Sequence, residues 1–111
     1  MGTSCRVLAA FGAFVAAASA AAAPVSFEKL SLAQGLSQSI VEGALQDRRG
    51  FLWFATEDGL NRWDGYRFSV FRNVAGNGRS LSYNELKCLV EDRSGMIWIG
   101  TGGGGLCRYD R

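Results

Sequence analysis

The sequence predicts an all-β chain: an incomplete β-propeller of about two four-stranded antiparallel blades behind a signal peptide. Two observations predict it. First, the chain repeats itself. Leu36–Asp64 (LSQSIVEGALQDRRGFLWFATEDGLNRWD) returns as Leu81–Asp110 (LSYNELKCLVEDRSGMIWIGTGGGGLCRYD), at an offset of 45 residues that becomes 46 after one inserted glycine near Gly102–Gly105. Identities fall at Leu36/Leu81, Ser37/Ser82, Asp47/Asp92, Arg48/Arg93, Gly50/Gly95, Trp53/Trp98 and Thr56/Thr101, then at Gly59/Gly105, Leu60/Leu106, Arg62/Arg108 and Asp64/Asp110. A period of about 40–50 residues with short apolar runs and Gly/Asp turns marks propeller blades. Second, the segments between turns read as strands, and no stretch keeps a helical period.

The elements follow in order. Phe27–Leu30 precedes LSQS much as Phe68–Phe71 precedes LSYN, which predicts an orphan outer strand able to close a ring. Ile40–Gln46 is an apolar run ending at the turn Asp47-Arg48-Arg49-Gly50. Phe51–Thr56 (FLWFAT) is the second strand, and Glu57-Asp58-Gly59 the next turn. Leu60–Asp64 is the third, Gly65 breaks it, and Tyr66–Phe71 is the fourth. Aromatic and β-branched residues between Asp/Gly punctuation are hairpin signals. The second copy repeats three segments, Leu86–Glu91, Met96–Gly100 and Leu106–Asp110, and reaches Arg111 where a fourth would begin. The expected organisation is a signal peptide at 1–23, an N-terminal segment at 24–35, a first blade at 36–73, a linking loop at 74–80 and a truncated second blade at 81–111. Under two blades leave faces uncovered, and repeat arrays need several units to bury a continuous core. The chain therefore reads as a fragment of a longer protein.

Composition removes several functions. With 12 basic and 10 acidic residues and net charge +2, the chain has no basic stripe for nucleic acid. It has no histidine, the commonest general base and metal ligand. Met1–Arg6 carries a positive charge, Val7–Ala18 is apolar, and Ala18-Ser19-Ala20 and Ala20-Ala21-Ala22 suit small-x-small cleavage. That is a secretory pattern, and it predicts an exported product.

Candidate chemistry is weighed against the repeat. Gly100-Thr101-Gly102-Gly103-Gly104-Gly105 satisfies G-x-G-x-x-G, but a dinucleotide site needs a helix after the loop, and LCRYD reads as a strand. No cofactor is expected. Asp47 with Gly50, and Asp92 with Gly95, occupy D-R-x-G turns in which a short carboxylate accepts backbone hydrogen bonds. Gly59, Gly105, Asp64 and Asp110 recur in the same way, so these positions read as architecture; catalytic and metal sites are expected to be absent. Trp53 and Trp98 lie mid-strand and are expected to pack between blades. Trp63, Tyr66 and Tyr109 sit nearer a rim and are the candidate ligand contacts, with the non-repeating loop Asn73–Asn84 the other supplier. Arg48/Arg93 and Arg62/Arg108 are expected to support turns or to meet carboxylates. Cys88 and Cys107 fall in the first and third strands of one blade, too far apart for a disulfide. Two buried free thiols are expected.

The motifs GFLWFATEDGLNRWDG and GMIWIGTGGGGLCRYD resemble repeats of the two-component regulator propeller family, and the resemblance covers Phe27–Arg111. It implies the periplasmic sensor region of an inner-membrane receptor whose cytoplasmic output is a histidine kinase or a diguanylate cyclase. It also implies partners: the remaining blades, a glycan or other small ligand, and a second receptor chain. A secreted propeller enzyme (a lyase or glycan hydrolase) and a lectin-like binding protein are the alternatives; the first would need a non-repeating polar cluster.

Overall fold

The structure, a computed structural model, describes residues 24–110; the segment expected to be a signal peptide lies outside them. After a 3-10 turn at Leu32–Gln34 come seven strands: β1 (Val41–Gln46), β2 (Leu52–Thr56), β3 (Gly59–Trp63), β4 (Phe68–Phe71), β5 (Leu86–Glu91), β6 (Ile97–Thr101) and β7 (Leu106–Tyr109). They form two antiparallel meanders, β1-β2-β3-β4 and β5-β6-β7. The fold class is as the repeat predicts: all-β, with two successive sheets that do not close into a ring.

Side chains alternate across a strand, so the register assigns every residue to a face. In the first sheet, Leu45 pairs with Trp53 and Trp53 with Arg62, while Ala55 pairs with Leu60 and Leu60 with Phe71. These residues share one face, which packs on the second sheet. In the second sheet, Ile97 pairs with Tyr109, and Ile99 with both Leu89 and Cys107, building the face that meets it. Trp53, Ala55, Leu60, Leu86, Ile97 and Ile99 form the buried core between the sheets. The first strands come closest: a Cβ on Gly43 would lie 3.5 Å from the Cys88 Cα.

The fourth strand is shorter than expected. The Asp64 carboxylate accepts the amides of Tyr66 (2.8 Å) and Arg67 (2.9 Å), so these residues turn and pairing begins at Phe68. Phe27–Leu30 forms no ladder among the described residues, and Phe27 is exposed. The thiols are free, but the expectation that both are buried fails. Cys88 is exposed and Cys107 half-buried, because the face that carries Cys88 has no sheet against it.

Candidate functional site

Each sheet is organised by one carboxylate. Asp47 Oδ1 accepts the amides of Arg49 (2.8 Å) and Phe51 (3.0 Å), and its Oδ2 accepts the indole Nε1–H of Trp53 at 2.8 Å. Asp92 does the same in the second sheet: Oδ1 takes Ser94 and Met96, and Oδ2 takes Trp98 Nε1 at 2.8 Å. Gly50 (φ 97°) and Gly95 (φ 90°) close the two turns in a conformation that other residues rarely adopt. The Trp98 indole, followed by Ser94, holds the Asp92 carboxyl down at about 2. The turn carboxylate thus reaches past its own turn to pin the tryptophan of the next strand.

A second repeated device lies at the opposite end of β2 and β6. Thr56 Oγ1 donates to the Gly59 carbonyl and accepts the Asp58 amide; Thr101 Oγ1 donates to the Gly105 carbonyl and accepts the Gly104 amide. The glycine run is therefore a hairpin turn leading into β7, with no helix to hold a pyrophosphate. A third device ties each L-S dipeptide to the third strand of its own sheet. The Ser37 amide donates to Asn61 Oδ1, and the Ser82 amide donates to Cys107 Sγ. Cys107 therefore stands where the first copy has a buried asparagine, which explains its polar surroundings.

The repeated arginines divide: Arg48 meets a carboxylate, one of the two expected roles, whereas Arg62 and Arg108 lie over aromatic rings. Arg62 lies over the rings of Phe51 (5.2 Å), Trp53 (5.7 Å) and Phe71 (5.9 Å), and Arg108 over Trp98 (5.6 Å). Arg48 crosses between sheets to Glu91, with Nε 3.4 Å from Oε2.

The aromatic ligand candidates separate. Tyr109 is not at a rim: its ring sits 5.0 Å from Trp53 and 5.6 Å from Phe71, between the two sheets, because its pairing with Ile97 turns it inward. Trp63 is half-buried against Phe68 at 4.8 Å on the other face of the first sheet. Tyr66 is 91% exposed. Asp110 is exposed. The non-repeating loop contributes a cleft of about 380 Å³ lined by Glu57, Asn73, Ser82, Tyr83, Asn84 and Glu85. Glu85 is paired with Lys87 Nζ at 2.8 Å, which raises the Lys87 pKa. Among the described residues no group of three or more His, Cys, Asp or Glu is placed to hold a metal ion.

These features can be set beside known proteins. The model of the two component regulator propeller family matches residues 35–58 and again 80–103. Two stretches of the chain, one in each sheet, thus match two component regulator propeller repeats. Histidine kinase P4 of Formosa agariphila is 44% identical over 56 residues, covering 50% of this chain and 4% of that kinase. Among solved structures, the extracellular domain assigned to a hybrid two component system of B. thetaiotaomicron superposes with a TM-score of 0.69 at 40% identity, over 74% of this chain. The chain spans only 12% of that domain's length. The turn-and-tryptophan units at Asp47–Trp53 and Asp92–Trp98 lie within the two matched stretches.

Proposed function

We propose that this chain is part of the extracytoplasmic sensor propeller of a two-component receptor, in which ligand binding to the completed ring biases a cytoplasmic histidine kinase. The observation that carries the reading is that the repeats are shared with a histidine kinase and with the extracellular domain of a hybrid two component system. Both relatives favour a kinase over a cyclase as the output. The region itself is non-catalytic on this reading; it acts by binding one receptor state better than the other, since a ligand shifts an equilibrium only by its differential affinity.

Its placement is periplasmic, with residues 1–23 serving as the export signal and the parent protein anchored in the inner membrane. The binding surface is built on non-repeating chain, because loops carry recognition on a rigid repeat scaffold. The cleft beside Asn73 and Tyr83 and the exposed Tyr66 ring are the first places to look for a glycan or another small polar ligand.

Two readouts test the proposal. Alkaline phosphatase fused after Arg111 should be active in cells, and removing residues 1–23 should abolish that activity. The coding sequence beyond Arg111 should contain more repeats, an apolar helix of about 20 residues and a kinase. Cytoplasmic retention of the fusion, or a stop codon directly after Arg111, would count against a receptor.

A further inference from the structure

Residues that hold the fold together recur in both copies, but the lining of one cleft does not. The cleft of about 380 Å³ lies at the end of the sheets opposite the Asp47 and Asp92 turns, lined by Glu57, Asn73, Ser82, Tyr83, Asn84 and Glu85. Of these, Ser82 alone has the same residue at the corresponding place in the first copy. Tyr83 stands where that copy has Gln38, Asn84 where it has Ser39, and Glu85 where it has Ile40; Glu57 stands where the second copy has Gly102. All of the lining comes from the described repeats and the loop between them.

The walls are braced before any ligand arrives. The Asn84 carbonyl accepts the Gly59 amide at 2.7 Å and the Glu85 carbonyl accepts the Gly102 amide at 2.8 Å, so one segment is tied to both hairpin turns. Asn84 Oδ1 also accepts the Asn73 amide at 2.7 Å. The glycine run makes room for the side chains above it. A Cβ on Gly104 would lie 2.6 Å from Tyr83 Cβ, one on Gly103 3.3 Å from Tyr83 Cζ, and one on Gly102 3.1 Å from Glu85 Cδ. Tyr83 therefore rests on bare backbone, and 43% of it stays open to solvent.

None of the lining residues is basic. Glu57 is exposed and makes no ion pair among the described residues. Glu85 holds Lys87 Nζ at 2.8 Å, and that bond, with the fields of Glu42 and Glu57, raises the Lys87 pKa; three carboxylates thus share one ammonium. The nearby Arg72 is engaged by both oxygens of Asp58, at 3.1 Å each. The cleft is left with surplus negative charge beside an aromatic ring, whose face attracts cations. We propose that this cleft binds a small organic cation through a primary ammonium group, held against the Tyr83 ring and between Glu57 and Glu85. An aliphatic diamine and an amino sugar share that chemistry, whereas a uronate or a sulfated sugar would meet two carboxylates and no cation. The inference rests on the sensor reading for its consequence, that the amine is the signal.

The test is titration calorimetry on the whole purified receptor with putrescine and with glucosamine, each beside its uncharged counterpart, butanediol or glucose. Saturable binding of at least one amine, and of neither counterpart, is expected; which amine binds decides between the two sources. Tyr83→Ala should weaken binding about fivefold and Tyr83→Phe should keep it, because the ring and not the hydroxyl meets the cation. Glu57→Gln should weaken it about threefold at low salt and less at high salt. Thermal melts of these variants should match the native receptor, since both side chains are exposed. Binding of neither amine, equal binding of an amine and its counterpart, or full binding by Y83A or by E57Q overturns the proposal. Each of those results leaves the sensor reading standing, which falls instead to cytoplasmic retention of the phosphatase fusion.

Discussion

The carboxylate–indole bond inside each turn unit offers a sharp perturbation. Asp47 is 4% exposed and Trp53 is fully buried, so water cannot easily replace either partner. Asp47→Asn keeps the size and the Oδ1 acceptor for the Arg49 and Phe51 amides, but turns the second oxygen into an NH₂ group. That group would face the Trp53 Nε1–H, 2.8 Å away in the native pair, donor against donor. A hydrogen bond to a charged group contributes about 1.5–3 kcal/mol, and a buried donor left unpaired costs about 1–3 kcal/mol. These overlap rather than add, so D47N should destabilise the folded propeller region by about 2–3 kcal/mol.

The assay is urea unfolding of that region followed by tryptophan fluorescence. With a slope of about 2 kcal/mol/M, the midpoint should fall by about 1–1.5 M. Trp53→Phe separates this bond from general damage. In a W53F background the amide no longer meets an N–H, so D47N should cost about 1–2 kcal/mol less than it does in the native background. Additive losses would show that Asp47 acts through its turn alone. A D47N midpoint within about 0.25 M of the native one, or about 0.5 kcal/mol, would refute the bond's contribution altogether.

Three further outcomes are expected. The Asp92 carboxyl is depressed to about 2 from 3.8, so its contribution to stability is present above pH ~4 and fades as the pH falls through 2; Asp64 shifts in the same direction through the Arg67 and Tyr66 amides. An acid titration monitored at the Trp98 indole should show that loss, and a transition centred near pH 5 would contradict it. Gly59→Ala should destabilise more than Gly50→Ala: both sit at positive φ, but a Cβ at Gly59 would be 2.5 Å from the Phe71 carbonyl oxygen and one at Gly50 meets nothing within 4 Å. Thermal melts giving equal losses would remove the steric argument. The chain expressed alone from residue 24 should bind a hydrophobic dye and aggregate through its open face; a sharp cooperative melt from a monomer would count against that.

What the sequence made legible is what the repeat copies. Asp47 and Asp92 stand six residues before Trp53 and Trp98 in both copies, and that shared spacing, read on its own, could have announced the carboxylate–indole bond. It did not, because the pairing needs the turn to fold back so that residue 47 sits beside the strand at residue 53. Tyr109 was misplaced for a related reason. Its position at a strand end suggested a rim, yet alternation from Ile97 and Ile99 through their β7 partners turns it inward. Tyr66 and Arg67 carry strand-like residue types, but the local carboxylate of Asp64 captures both amides. A side chain that bonds nearby backbone competes with the ladder, and here it prevails over β-propensity.

The deeper limit lies in the difference between a residue's type and its surroundings. Leu60 and Leu106 occupy the same repeat position, and no property of either leucine separates them; one is 1% exposed and the other 65%. Cys88 looked like a core thiol because its strand is a core strand, but that strand's outer face is buried only where another sheet lies against it. Repetition therefore encodes an interface without encoding its occupant. Arg48 and Arg93 make the same point with charge, since the first has Glu91 across the gap and the second faces open space.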